Sequence, residues 1–339
     1  MPSSKRNLLA ASGQGGAYEG DIAVAHSTSP YITAYPWSSG FGTKYANPAT
    51  VPTGNGLGVA FSPDGADVAV AGEYPYITAY PWSSGFGTKY ANPATRPTGT
   101  SRSVAFSPDG ADIAVAHSNS PYISVYPWSS GFGTKYANPS TLATSNGYGV
   151  AFSPDGADIA AVHNSSPYVS VYPWSSGFGT KYANPSTLPT GNGRDVAFSP
   201  DGADIAVAHD TSPYVSTYPW SAGFGTKYAN PSTLPTGPGF GVAFSPYGND
   251  IAVANSVTPY VSTYPWSSGF GTKYANPATL PTGLALGVAF SPDGADIALA
   301  HFTSPYITVY PWSSGFGTKY ANPSTLPTGL GIGVAFSPI

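Results

Sequence analysis

The sequence predicts an all-β fold, a seven-bladed β-propeller with four antiparallel strands per blade. All seven tryptophans recur at intervals of 45 or 46 residues, and a fixed period of this size is typical of solenoids, propellers and arrays. Each interval contains four strand-like segments, the number found in a propeller blade. Gly and Pro number 41 and 36, and aromatic residues make up 14% of the chain, which favours a turn-rich fold with ample apolar surface to bury.

The second repeat shows the predicted elements in order. Residues 59–61 alternate large and small side chains and indicate the first strand. The turn Ser62-Pro63-Asp64-Gly65 leads into a second strand over residues 67–71. The third strand is predicted over residues 76–80, and the fourth, which is the least apolar and therefore the outermost, over residues 86–91.

The second strand has two unlike faces. Val68 and Val70 lie on one face, while Ala69 and Ala71 lie on the other, because successive side chains of a strand point to opposite sides of the sheet. We therefore expect bulky side chains of one blade to nest against the alanines of its neighbour.

The two ends of the chain are predicted to share a blade. Residues 332–339 resemble the first strand of a repeat but have no further strands after them, while the first repeat lacks that strand. Pairing of the two segments would close the ring and remove exposed sheet edges. We expect a poorly matched N-terminal segment, residues 1–20, and a single propeller over residues 21–339. Its first blade would comprise 21–56 plus 331–339, and the other six blades 57–330.

Composition limits the possible functions. Only 8% of residues are charged and the net charge is -4, so no basic surface is expected to bind nucleic acid. The chain has no cysteine, which excludes disulfides and thiolate metal sites. No segment reads as a signal peptide or a membrane span. We expect a soluble monomer without a cofactor, located in the cytoplasm or in a virion.

The repeat resembles the WD40-type repeat and its relatives. The resemblance rests on Val-Ala-Phe-Ser-Pro-Asp-Gly, followed by a small-residue strand and then a strand that ends in Trp, as in residues 104–128. It extends over residues 21–339 and implies a ring of blades around a central channel, serving as a rigid interaction platform. Thr-Gly-x-Gly and Pro-Trp-Ser replace the Gly-His and Trp-Asp pairs of that family. The near identity of the units also resembles repetitive propellers of bacterial and phage genomes.

The repeats differ mainly in two loops that are expected to open on the same face of the ring. One variable position precedes the first strand of each blade and is occupied by Leu57, Arg102, Tyr148, Arg194, Phe240, Leu286 and Ile332. The loop between the second and third strands varies at Glu73, Tyr74, Asn119, Asn164, Asp210, Val257 and Phe302. Because Arg and aromatic residues dominate binding hot spots, this variable face is predicted to bind a partner. Neutral drift of unconstrained loops is the other interpretation.

The invariant part of each repeat offers an alternative site. Trp82, Lys89, Tyr90 and Asn92 combine aromatic faces with polar groups, a combination suited to sugars, and one such site per blade would give avidity. The other interpretation is that these aromatic side chains fill the space between blades.

Two further sets of polar residues recur with the repeat. The histidines that end the second strand could form a ring of metal ligands, but Gly72 and Asn255 replace them in two blades, so structural capping of the following loop is favoured. Paired acids such as Asp64 and Asp67 offer too few oxygens for calcium. They are predicted to stabilise their own hairpin turn.

No enzyme motif is found, and no distinctive cluster is seen to break the repeat as a catalytic site normally would. We therefore predict a non-enzymatic platform that binds an unidentified protein or glycan through the variable face. A multivalent glycan-binding protein is the first alternative. An artificial or consensus-derived propeller is the second, although Arg96, Ala143 and Tyr247 depart from a consensus.

Overall fold

Seven three-stranded antiparallel sheets form a ring in the computed structural model, which describes residues 18–338. The innermost strand of each sheet contacts the innermost strands of both neighbouring sheets. These seven innermost strands therefore surround a central channel. Blades 1 to 7 consist, in this order, of β1 (Gly20–His26), β2 (Ile32–Trp37) and β21 (Gly331–Phe336); β3 (Gly56–Phe61), β4 (Asp67–Gly72) and β5 (Ile77–Pro81); β6 (Ser101–Phe106), β7 (Asp112–His117) and β8 (Ile123–Pro127); β9 (Gly147–Phe152), β10 (Asp158–His163) and β11 (Val169–Pro173); β12 (Gly193–Phe198), β13 (Asp204–His209) and β14 (Val215–Pro219); β15 (Gly239–Phe244), β16 (Asp250–Asn255) and β17 (Val261–Pro265); and β18 (Ala285–Phe290), β19 (Asp296–His301) and β20 (Ile307–Pro311).

These sheets confirm the predicted all-β, seven-bladed propeller. Within residues 18–338 no helix is long and apolar enough to cross a membrane. Most of the predicted N-terminal segment, residues 1–17, lies outside the described residues, as does Ile339.

The fourth strand of each blade is reduced to a few contacts, which corrects the prediction of four full strands. In blade 2, Trp82 and Phe86 form an isolated bridge, and the Tyr90 amide donates to the Ala79 carbonyl at 3.0 Å. The intervening ladder is broken because Pro81 has no N–H to donate. A tight turn with Gly85 at φ 141° also separates the two segments.

The predicted closure is confirmed. β21 pairs with β1 in antiparallel register, with Val334 opposite Val24 and Phe336 opposite Ile22. The Tyr18 hydroxyl reinforces this seam by donating to the Ser337 carbonyl at 2.6 Å. The C-terminal strand is thus the innermost strand of the first blade.

Blades pack through the two unlike faces of their second strands. Val68 and Val70 of blade 2 share a buried cluster with Ala23 and Ala25 of blade 1. The corresponding pairing recurs at the other blade interfaces, except that in blade 4 Ala161 replaces the second large side chain and Val162 replaces the second alanine. The predicted nesting of bulky side chains against alanines therefore describes the core.

A carboxylate joins each blade to the next through what we call the Trp–Asp–Tyr clasp. Asp67 accepts the Tyr90 hydroxyl of its own blade at 2.7 Å and the Trp128 indole N–H of the following blade at 2.8 Å. Equivalent clasps are centred on Asp21, Asp67, Asp112, Asp158, Asp204, Asp250 and Asp296. The clasp of Asp296 with Trp37 spans the junction of the last and first blades.

Candidate functional site

A β-bulge at the start of each inner strand forms the mouth of the channel. In blade 2, Gly56 pairs with Gly72 and Gly58 with Ala71, so Leu57 has no partner. A bulge of this kind re-aims the extra side chain. The equivalent residues line one cavity of about 410 Å³, and they are Leu57, Arg102, Tyr148, Arg194, Phe240, Leu286 and Ile332. The first variable position of the sequence thus becomes a single ring.

Two arginines of this ring share one aromatic partner. The guanidinium carbon of Arg102 lies 4.5 Å from the centroid of the Tyr148 ring, and that of Arg194 lies 4.8 Å from it. Arg194 also lies 5.7 Å from the Phe240 centroid. Cation–π attraction at these distances holds both cations against the channel wall.

The two arginines differ in their acidic partners. Arg194 donates to Asp210 at 3.1 Å, and Asp210 is fixed in turn by the Asn192 amide at 2.9 Å. This is the only ion pair between residues 18 and 338, so Arg102 has no carboxylate partner there. The Nε atoms of both arginines are buried without an acceptor. Arg102 has no carboxylate partner among residues 18–338 and lines the cavity, so its terminal N–H groups are the donors that a ligand can use.

Asp195 completes the cluster and was missed by the sequence analysis. It follows the bulge residue in β12, where five blades have glycine and blade 3 has Ser103. Its Oδ1 accepts the Val196 amide at 2.9 Å, and its Oδ2 accepts the Val242 amide of the next blade at 3.0 Å. Ser103 makes the corresponding contact by accepting the Val150 amide at 3.3 Å.

The surroundings of Asp195 give it an unusual acidity. Burial in the channel wall raises the pKa of its carboxyl group to about 7, although the two N–H donors act in the opposite direction. A carboxylate with this pKa can both remove and return a proton near neutral pH. Perturbed carboxylates in a cavity are candidate catalytic groups.

The second variable loop lies outside this cavity, apart from the contact that Asp210 makes with Arg194. Tyr74, Val257 and Phe302 are exposed, with Arg96 stacked 5.0 Å from the Tyr74 ring. Asn119 donates to the Thr98 carbonyl in the segment that precedes β6. Glu73 and Asn164 also lie in these loops and do not line the cavity. The predicted variable face is thus divided into an inner ring and separate outer loops.

The alternative glycan site is already occupied by protein contacts. Trp82 is only 6% exposed and donates its N–H to Asp21 at 2.8 Å. Its ring meets Phe61 and Phe86 edge-on at 5.4 and 4.9 Å. Tyr90 is used in the clasp, and Lys89 donates to Asn92 at 2.7 Å. These groups therefore present no open aromatic platform for a sugar.

The two acids of each pair have different roles. Asp64 accepts the Ser62 hydroxyl at 2.6 Å and the Ala66 amide at 3.0 Å, as predicted for a residue that stabilises its turn. Asp67 instead centres a clasp between blades. Within the described part of the chain, no group of three or more His, Asp or Glu side chains is placed to hold a metal ion.

Comparisons with known proteins establish the fold. No protein-family model matches the sequence, and no curated protein gives a significant match. A solved structure of a candidate 6-phosphogluconolactonase from Bacteroides uniformis is 18% identical, with a TM-score of 0.72 over 94% of this chain and 99% of that chain. A second, from Bacteroides fragilis, is 14% identical, with a TM-score of 0.73 over 94% and 98%. A periplasmic gluconolactonase from Pseudomonas aeruginosa is 18% identical, with a TM-score of 0.66 over 95% and 100%.

These findings correct two predictions. The similar structures are lactonase-like propellers rather than specifically WD40-type propellers. The prediction of a platform that is not an enzyme is wrong, since propellers of this fold carry the names of lactone-hydrolysing enzymes. A distinctive cluster does interrupt the repeat, since Arg102, Arg194 and Asp195 line the same cavity. At these identities the likeness itself shows the fold alone.

Proposed function

We propose that the protein is a hydrolase that opens a cyclic ester, a lactone, at the mouth of the channel. The observation that carries the proposal is the cluster of Arg102, Arg194 and Asp195, which places charged groups in a cavity where the equivalent residues of other blades are uncharged. The names of the structures similar in fold support this class of reaction.

Asp195 supplies the proton transfers of this proposal. Its carboxylate takes a proton from a water molecule whose oxygen forms a bond with the lactone carbonyl carbon. The bond between that carbon and the ring oxygen then breaks, and the ring oxygen receives the proton from Asp195. The product is a hydroxy acid, and the carboxylate of Asp195 is restored.

The guanidinium groups stabilise the negative charge that forms on the carbonyl oxygen. Arg102 is suited to this role because it lines the cavity and has no acidic partner among residues 18–338. Donors held in place before the reaction stabilise an oxyanion without reorganisation. Tyr148 provides that placement by stacking on both arginines.

The test is hydrolysis of gluconolactone and unsubstituted δ-valerolactone, with the spontaneous rate subtracted. We expect Asp195→Gly to lower kcat by about 10²- to 10⁴-fold, the usual contribution of a general base. Glycine occupies this position in five blades, so the variant matches the repeat. Below the Asp195 pKa of about 7, kcat/KM should fall about tenfold per pH unit, because the base becomes protonated.

Asp201→Asn is the matched control. Asp201 lies in the first turn of the same blade, bonded to Ser199 and Ala203, and blade 6 has Tyr247 at this position. The Asp201→Asn variant should hydrolyse lactones at the same rate as the unmodified protein. Equal activity of Asp195→Gly and the unmodified protein, or no lactone opened faster than the background, would contradict the proposal.

A further inference from the structure

The cavity at the channel mouth has two unlike halves. Blades 3 to 5 contribute the charged half, which contains Arg102, Arg194 and Asp195 together with Tyr148. Blades 7, 1 and 2 contribute the bulge residues Leu286, Ile332 and Leu57. The next residues in these three strands are Gly287, Gly333 and Gly58, followed by Val288, Val334 and Val59, and all of them line the cavity. We call these three blades' residues the apolar arc.

We infer that this site takes an amphipathic ligand, with an ester or carboxylate group against the arginines and an alkyl or aryl substituent against the apolar arc. The inference rests on the proposed function in one respect: the ligand is a substrate only if a lactone is opened at Asp195. As a substrate site, the cavity selects lactones with an alkyl or aryl substituent over polyhydroxylated lactones.

The apolar arc carries the selection. Its lining side chains are Leu, Ile and Val, with glycines between them, so it offers no side-chain donor or acceptor to a sugar hydroxyl. Burying a hydroxyl without a hydrogen bond is unfavourable, whereas each buried methylene tightens binding by about fourfold. A cavity of about 410 Å³ has room for such a substituent.

The charged half sets the orientation. Arg102 has no carboxylate partner among the described residues, while Arg194 is paired with Asp210. A ligand carboxylate or carbonyl oxygen therefore finds its donors at Arg102, whose strand β6 lies next to β3 at one end of the apolar arc. A ligand with both groups satisfies the two halves at once.

The test measures binding by calorimetry with carboxylates that imitate the product: butanoate, hexanoate, octanoate and, as a polar anion of the same charge, gluconate. We expect affinity to rise about fourfold per added methylene until the cavity is filled, and gluconate to bind more weakly than hexanoate. Arg102→Leu, which copies the residue of blades 2 and 7, should weaken every carboxylate by about tenfold or more. Arg96→Leu, at a cation stacked on Tyr74 outside the cavity, should not.

A second pair of variants tests the apolar arc. Leu286→Asn should abolish most of the gain per methylene, whereas Leu142→Asn, at an exposed loop leucine outside the cavity, should preserve it. Gluconate binding as tightly as octanoate, affinity independent of chain length, or an unchanged gain in Leu286→Asn would each overturn the inference.

Turnover separates the two proposals. Chain-length-dependent binding without Asp195-dependent lactone opening supports the amphipathic site and contradicts the hydrolase. Asp195-dependent opening of gluconolactone at a higher kcat/KM than an alkyl-substituted δ-lactone supports the hydrolase and overturns the amphipathic specificity.

Discussion

Each of the five histidines ends the second strand of its blade with a fully buried ring. The Nε2 atom lies 2.9 to 3.1 Å from a hydroxyl of the third strand, and the partners are Thr33, Ser124, Ser170, Ser216 and Thr308. Burial lowers the pKa of each histidine to about 4. These side chains are suited to a structural role as neutral groups that tie two strands together.

The histidines should make the protein sensitive to mild acid. Their folded pKa of about 4 lies below the ordinary value of 6.5, so the unfolded chain binds protons first as the pH falls. The stability that they contribute is complete above 6.5 and is lost as the pH falls towards 4. We expect Tm to decrease across this window, and replacement of all five by Asn, the residue of blade 6, to flatten the decrease.

Asp195 changes stability with pH in the opposite direction to the histidines. It must therefore be replaced before the effect of the histidines is measured. Its raised pKa means that the unfolded chain loses this proton first as the pH rises, so its contribution to stability falls between about pH 4 and 7. The melting curves should therefore be compared in an Asp195→Gly background. An unchanged dependence of Tm on pH in the five-Asn variant would refute the role of the histidines.

Asp195 also shows where prediction from the sequence stopped. The bulge position was recognised as variable, and its residues do line one cavity. The neighbouring position was overlooked, although it has glycine in five blades and Ser103 and Asp195 in two. Simple alternation along a strand would place Arg194 and Asp195 on opposite faces. The bulge alters that alternation, and nothing in the local pattern of residues indicates it.

Among the elements, the first three strands of each blade were predictable because their apolar residues alternate. The prediction of a full fourth strand was wrong because the apolar pattern of residues 86–91 reflects contacts with Trp82 and its neighbours rather than strand pairing. The hydrogen-bond partners of Asp67 were also not predictable from the residues near it in the sequence. Its two donors, Tyr90 and Trp128, come from segments 23 and 61 residues away.

The clasp should be a measurable element of stability. Trp128→Phe retains an aromatic ring but removes the N–H that Asp67 accepts. We expect it to lower the free energy of unfolding by about 1 to 3 kcal/mol, since a charge-assisted bond is lost and a buried acceptor is left partly unsatisfied. Urea denaturation followed by circular dichroism measures this cost.

Two further variants test the origin of that cost. Tyr90→Phe removes the other donor to Asp67, and its effect should not add simply to that of Trp128→Phe, because both act on one carboxylate. Tyr74→Phe removes a hydroxyl from an exposed ring and serves as the control. A cost for Trp128→Phe no larger than the control would rule out a stabilising clasp.

For the whole molecule, closure by the C-terminal strand was predictable because the incomplete first and last repeats complement each other. The proposed function was not predictable, because the arrangement that suggests it joins Arg102, Tyr148 and Asp195 from three neighbouring blades at the channel mouth. A repeat pattern read along the chain does not show which side chains meet around a ring.

Closure also makes a prediction. Deletion of residues 331–339 removes β21 and exposes the edge of β1, which can then pair with another chain. We expect a lower Tm together with oligomers in size-exclusion chromatography with light scattering. Tyr18→Phe, which removes a bond to Ser337 but leaves the strands paired, should cost less. A truncated chain that stays monomeric with an unchanged Tm would disprove closure by this strand.

The repeated clasp has a spectroscopic consequence. Six indoles have almost the same surroundings and are 5 to 6% exposed, whereas Trp37 is 1% exposed and shares its cluster with Tyr18 at the seam. In a proton–nitrogen correlation spectrum, six indole resonances should fall close together and one should be displaced. That displaced signal belongs to Trp37 and is lost from its position on Trp37→Phe. The indole resonance of Trp37 thus reports specifically on the junction between the first and last blades of a nearly symmetric ring.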